Sequence, residues 1–197
     1  MSQRLSTNGH SEKDLSNTVW LKPAIVCDLD GTVRHNPDGE YINGPDDIAF
    51  YDGVLEALWR YRGKGYLIFG VTNQGGVAHG HKTPADFDRE MDRMQALATQ
   101  EHERGWPFHS VKACFFMASG DHDVYGHRSL LRKPRYGALA VLEHEARSQT
   151  RQQFIIDWDE SYMIGDREED LACAQAAGVS FMHADDWHAQ IQEQILD

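Results

Sequence analysis

The sequence predicts an α/β fold in three layers, with helices on both faces of a parallel sheet. Two observations carry that reading. Short apolar, β-favouring runs alternate along the chain with segments of helical period, the signature of βαβ units. Polar clusters fall directly after several of those runs, at Asp28/Asp30, Thr72/Asn73 and Asp166/Asp170. In an open parallel sheet, ligands bind beyond the carboxyl ends of the strands, so the period alone gathers these clusters on one edge.

The elements follow in order. Met1 to about Val19 is rich in Ser, Asn, Gln and charge, and residues 1–20 are expected to form a flexible tail preceding one domain over 21–197. Ala24–Leu29 reads as a strand. Gly53–Lys64 places Val54, Leu55, Leu58 and Trp59 at helical spacing, and Gly63 and Gly65 break it. Tyr66–Val71 is a second buried strand. Thr83 and Pro84 mark a helix start, as N-cap and first helical residue. Phe87, Met91, Met94 and Leu97 continue that helix towards Gly105. Val111–Met117 is a third strand, and Ala118–Leu131 an irregular segment. Tyr136–Ala146 is helical, Tyr162–Ile164 a short strand, and Glu168–Ala177 a helix closed by Gly178. Val179–His183 and Trp187–Leu196 supply a last strand and helix.

Bulk properties narrow the class. The chain of 197 residues suits one domain, and its size allows a core without disulfides. The formal net charge of -12 argues against a surface built for long nucleic acid, which rewards basic stripes. Three cysteines, Cys27, Cys114 and Cys173, are odd in number and far apart, which fits a reducing compartment. No apolar run reaches membrane-spanning length and the first twenty residues lack a signal-peptide core, so the expected location is the cytoplasm, without a membrane partner.

Asp28-Leu29-Asp30-Gly31-Thr32 is the sharpest chemical signal. In extended chain, residues i and i+2 point the same way, so both carboxylates share one side. Such charge is tolerable beside a divalent cation, and magnesium prefers carboxylate, water and phosphate oxygens. One carboxylate can then attack phosphorus while the other moves a proton. Gly31 permits a tight turn. Taken singly, this and the other clusters also fit ordinary turns and helix starts.

The ordered set resembles the haloacid dehalogenase (HAD) superfamily. Asp28-x-Asp30-Gly31-Thr32 is similar to its motif I, Val71-Thr72-Asn73 to motif II, Arg132-Lys133-Pro134 to motif III, and Gly165-Asp166-Arg167-Glu168-Glu169-Asp170 to motif IV. The resemblance implies a Rossmann-like parallel sheet and a magnesium-dependent phosphate monoester hydrolase working through an aspartyl-phosphate. It implies Asp28 as nucleophile and metal ligand. Asp30 is then general acid/base, with its carbonyl on the metal. Thr72 and Asn73 hold the phosphoryl group, Lys133 neutralises charge, and Asp166 ligates the metal with Asp170 in support. Phosphoryl transfer needs chiefly alignment and charge neutralisation, which such a set supplies.

The segments between the motifs hold one or two elements each, leaving no room for a large cap domain. The phrases Thr72-Asn73-Gln74-Gly75 and Arg132-Lys133-Pro134 resemble subfamily III, the branch with histidinol-phosphate and heptose bisphosphate phosphatases and the polynucleotide 3′-phosphatase domain. Its bacterial zinc loop is not reproduced: Phe116, Ser129 and Leu131 stand where a histidine and two cysteines would be, and Cys114 alone cannot build a tetrahedral site. His122 and His127 are candidate substitute ligands, but the loop is expected to be metal-free. Arg34 and Arg132 are candidates to grip a second phosphate or a carboxylate. The expected substrate is a small phosphorylated metabolite, a sugar or amino-alcohol phosphate; the alternative is a 3′-phosphate on a nucleic-acid end. Oligomeric state is not legible.

Overall fold

The computed structural model describes residues 20–39, 41–148 and 154–196. Seven strands and five helices follow in order: β1 (Trp20–Cys27), β2 (Arg34–His35), β3 (Ala49–Phe50), α1 (Val54–Gly63), β4 (Leu67–Asn73), α2 (Pro84–Glu101), β5 (Ser110–Cys114), α3 (Gly137–Ser148), β6 (Phe154–Gly165), α4 (Glu168–Ala177), β7 (Ser180–His183) and α5 (Ala184–Leu196). Five strands form one sheet in the order β5-β4-β1-β6-β7, and every pairing is parallel. β2 and β3 form a separate antiparallel ribbon.

Side-chain alternation along β1 builds the three layers. Ile25 and Cys27 point into one core, with Leu58 of α1, Met94 of α2 and Trp187 of α5. Ala24 and Val26 point into the other, with Leu139 and Leu142 of α3 and Ala174 of α4. A strand buried on both faces reads as a continuous apolar run, as β1 and β4 do. Each fully buried Ile or Leu in these cores contributes roughly 1.5–3 kcal/mol. Between β1 and β4 lie only the β2–β3 ribbon, a single 3-10 turn and α1, and between β4 and α3 only α2, β5 and a loop. The expected three-layer sheet without a large cap domain is the fold observed.

Local signals explain most boundaries. Thr83 and Asp86 cap α2 reciprocally: the Thr83 Oγ1 accepts from Asp86 N at 3.2 Å, and Thr83 N donates to Asp86 Oδ2 at 2.7 Å. Gly178 closes α4 in the left-handed conformation, φ 70°.

Two expectations need correction. Trp20, placed in the tail, opens β1 by pairing with Phe154; residues 1–19 lie outside the described residues. β6 begins at Phe154, not Tyr162. Its first half is obscured in sequence by Asp157, Asp159 and Glu160, and its register against β1 shifts between Pro23 and Ile25. Pro23 cannot donate to the ladder, and Ser161 repairs the break: its Oγ accepts from Ala24 N at 2.8 Å and donates to the Asp157 carbonyl at 2.5 Å. The β2–β3 ribbon, two residues a side, was too short to leave a periodic signal.

His109 provides a pH test of the fold. His109 is exposed, and its Nδ1 accepts a 2.9 Å hydrogen bond from Ile68 N, so the bonded ring is neutral. Partial burial and the nearby Arg62 hold its pKa down at about 4. An unfolded histidine titrates at about 6.5, so this neutral ring stabilises fully above that value and loses its contribution as pH falls towards 4. Thermal melts across this window should fall less steeply with acid for His109→Gln than for wild type.

Candidate active site

Three central strands deliver the chemistry to one edge. β1 ends at Cys27, and the chain continues through Asp28, whose N–H donates to the Ile164 carbonyl at 2.8 Å. It then turns sharply: Val33 N and Arg34 N both donate to the Leu29 carbonyl at 2.9 Å, with Gly31 at φ 87°. Thr72 and Asn73 close β4, and Asp166 directly follows β6. Lys133 comes from the segment preceding α3.

These residues meet at the head of a cleft of about 970 Å³. Lys133 is buried at 1 % exposure, with its Nζ 2.6 Å from Asp28 Oδ1, 2.6 Å from Asp170 Oδ1 and 2.9 Å from the Val71 carbonyl. Burial works against its charge, but the Asp28 and Asp170 carboxylates override it and hold the ammonium above the usual lysine range. Asp28 responds oppositely. Burial pushes its carboxyl up, Asp170 and Asp30 add repulsion, and Lys133 only partly draws it back. More negative charge is packed here than one lysine neutralises.

Oxygens of Asp28, Asp166 and Asp170 lie within 4.8 Å of one another, the acidic group suited to an ion among the described residues. Asp166 Oδ1 is buried with no hydrogen-bond partner. A Cβ added at Gly31 would lie 2.3 Å from Asp166 Oδ2, so the turn is cut to leave that carboxylate its place. An all-oxygen donor set with a buried, unsatisfied oxygen fits a hard divalent cation. Gly31→Ala should therefore push Asp166 aside and strain the turn, at about 1–3 kcal/mol for the backbone. Calorimetric titration with magnesium should show weaker binding than in wild type.

Asp30 faces the cleft from the other side of the turn. Its Oδ1 accepts from Arg34 Nε at 2.6 Å, and its Oδ2 accepts from Gln74 Nε2 at 2.8 Å. Burial would raise its pKa, but Arg34, Gln74 and Lys82 together hold it below the usual carboxylate range. Gln74 also donates to Thr72 Oγ1 at 2.9 Å, tying the two expected site residues together.

Two expected substrate contacts are redirected. Arg34 is fully buried, and besides Asp30 it reaches Glu90 Oε2 at 2.9 Å and Met94 Sδ at 3.3 Å. With its guanidinium so engaged, it holds the site together rather than gripping a second anion. The Asn73 amide is likewise engaged: Nδ2 donates to the Lys133 carbonyl at 3.0 Å and to Glu169 Oε1 at 2.9 Å, while Oδ1 accepts from Lys133 N at 3.1 Å. It clamps the lysine segment onto β4. Asp170 is engaged within the protein: its Oδ2 accepts from Arg167 N at 3.1 Å and its Oδ1 faces Lys133. Arg132 stands differently. It lines the cleft beside Gly75, has a long 3.4 Å hydrogen bond to the Phe116 carbonyl, and forms no ion pair among the described residues. In the 118–131 loop, His122 Nδ1 accepts from Val124 N at 3.1 Å, and His127 Nε2 lies 2.9 Å from the Asp123 carbonyl.

Sequence reasoning passed over Gln74 and Glu90. Gln74 had no signal beyond its place after Thr72-Asn73. Glu90 had one: it falls three residues after Phe87 and four before Met94, on the apolar stripe of α2, where a carboxylate needs a buried partner.

The fold is HAD-like, and the relatives are phosphatases. The chain belongs to the family described as polynucleotide kinase 3 phosphatase, whose family model matches residues 23–193. It is similar to the D-glycero-beta-D-manno-heptose-1,7-bisphosphate 7-phosphatase of Haemophilus ducreyi, 33% identical over 158 residues, covering 80% of each chain. A D-glycero-alpha-D-manno-heptose-1,7-bisphosphate 7-phosphatase of Burkholderia mallei is 30% identical over 158 residues, covering 79% of this chain and 76% of that one. Among solved structures, the D,D-heptose 1,7-bisphosphate phosphatase from B. bronchiseptica, complexed with magnesium and phosphate, shares the fold with a TM-score of 0.62 at 24% identity, covering 81% of this chain and 78% of that one. No helix among the described residues is long and apolar enough to cross a membrane.

Proposed function

We propose that this phosphatase hydrolyses a small sugar phosphate through a covalent phosphoryl group on Asp28, with magnesium as its cation. The observation that supports this most is Lys133 Nζ at 2.6 Å from Asp28 within reach of the oxygen cluster, at the head of an open cleft. A magnesium ion would be held by Asp28, Asp166 and the Asp30 carbonyl, with Asp170 behind, and would neutralise phosphoryl oxygens as charge moves.

The residues divide the reaction between them. An Asp28 oxygen attacks phosphorus as the bond to the leaving alcohol breaks; Asp30, held ionised by Arg34 and Gln74 in the free site, takes the proton that the ester monoanion brings and passes it to the leaving oxygen. Asp30 then takes a proton from water, which attacks the phosphoryl group and restores Asp28. Lys133 offsets charge on Asp28 throughout, and Thr72 offers its hydroxyl to the phosphoryl oxygens.

A sugar bisphosphate suits the relatives and the cleft, whose volume lies in the range for small-molecule sites. Arg132 is the guanidinium placed to bind a second anionic group. The name of the family supports a second reading, a 3′-phosphate on a nucleic-acid end. The net charge of -12 weighs against it. A phosphate-release screen decides between them. Sugar bisphosphates should turn over fastest, with turnover lost on chelation and restored by magnesium. Preference for a 3′-phosphorylated oligonucleotide would overturn the sugar reading, and no release from any ester would overturn both.

A further inference from the structure

Arg34 and Glu90 form a buried ion pair, both at 0 % exposure, that the chemistry above does not use directly. Removing two charges from water is costly, and apolar residues of similar volume are often at least as stable. Here the pair runs in one direction, towards the cleft. Glu90 Oε2 accepts from Arg34 Nη2 at 2.9 Å, and Arg34 Nε donates to Asp30 Oδ1 at 2.6 Å. The other Glu90 oxygen accepts from Lys82 Nζ at 3.0 Å, and Lys82 lines the cleft. Glu90 therefore sits between two cations and leaves Arg34 one open direction, the Asp30 carboxylate. The Phe87 ring lies 5.9 Å from both cationic centres and Met94 Sδ 3.3 Å from Arg34 Nη1, closing the remaining sides.

We infer that Glu90 is a positioning residue for the reaction: through Arg34 it fixes the Asp30 carboxyl group at the angle from which it passes a proton to the leaving oxygen. This rests on the acid/base reading of Asp30 above. The arrangement ties α2 to the turn after β1, so a helix remote in sequence sets the aim of the proton donor. Without Glu90, Arg34 has no counter-charge on its far side and can draw Asp30 away from the cleft. Binding of the phosphoryl group, which falls to Lys133, Thr72 and the cation, is left intact.

Leaving-group dependence separates this role from a merely structural one. When the ester bond of an alkyl phosphate breaks, the electron pair passes to an alkoxide oxygen that needs the Asp30 proton. A nitrophenolate leaves without one. Glu90→Gln should lower the single-turnover rate of alcohol release from a hexose phosphate by about 10- to 100-fold, the scale of a misplaced catalytic group. Single-turnover release of nitrophenolate from p-nitrophenyl phosphate, which precedes the water step that also uses Asp30, should stay within about threefold on the same argument. The double substitution Arg34→Met with Glu90→Leu, which removes both buried charges together, should give the same selective loss, and it serves if Glu90→Gln does not fold. Asp30→Asn should show the selectivity at least as strongly. Equal loss on both esters, or no loss on either, in the Glu90 variants would overturn this inference alone. An Asp30→Asn enzyme with both rates intact would overturn the acid/base reading and this inference with it.

Discussion

Asp28→Asn should release no measurable phosphate from any ester that the wild-type enzyme hydrolyses, a loss of about 10⁴-fold or more on the scale of other nucleophile deletions. The amide keeps the shape of the carboxylate and lacks its nucleophilic charge. The variant should remain folded. Asp28, Asp166 and Asp170 crowd three carboxylates around one lysine, and burial already pushes Asp28 towards its neutral form. Replacing it with a neutral isostere relieves that repulsion, while Lys133 keeps Asp170 at 2.6 Å and the Val71 carbonyl at 2.9 Å. A thermal melt within a few degrees of wild type, beside an absent rate, would place the defect in chemistry. This is the pattern expected where function is maintained against stability.

Lys133→Met makes the opposite prediction: activity and stability fall together. The lysine is the cation that Asp28 and Asp170 both face at 2.6 Å. Removing one partner of a buried ion pair typically destabilises by about 3–5 kcal/mol, because the charge left behind is uncompensated. For a domain of this size that corresponds to a fall in Tm of roughly 10 °C. The sign with pH follows from the same groups. Without Lys133, the Asp28 carboxyl is raised further, so the deficit is largest at neutral pH and shrinks as acid protonates it. Magnesium should restore part of the lost stability, since a cation beside Asp28 replaces some of the missing charge. Equal melting temperatures for variant and wild type at neutral pH would count against this account of the cluster.

The legible parts of the molecule were those carried by local chemistry. Apolar runs gave β1, β4 and the two-sided core, because a buried parallel strand needs no partner to be recognised. Thr83-Pro84 and Gly178 marked helix ends, because caps are set by the residues themselves. The three clusters were read as one edge because strand-end positions converge in any parallel sheet. What escaped depended on long-range pairing. The first half of β6 is a strand only because Trp20–Pro23 lies beside it. Which acidic residue Arg34 pairs with was hidden because its partner Glu90 is 56 residues away. Asn73 looked like a phosphate ligand because its engagement with Lys133 and Glu169 is visible only in three dimensions. Sequence gathered the clusters on one edge, and two of the side chains expected there, Arg34 and Asn73, turn out to be bound to other protein groups.

The central claim is that the phosphoryl group passes through the Asp28 carboxylate. Rapid acid quench during turnover of a sugar phosphate, followed by peptide mass spectrometry, tests it most directly. A phosphoryl group on the peptide carrying Asp28, absent from Asp28→Asn, is the result predicted. Full turnover with no phosphorylated peptide at any quench time, or the group on another residue, would contradict it.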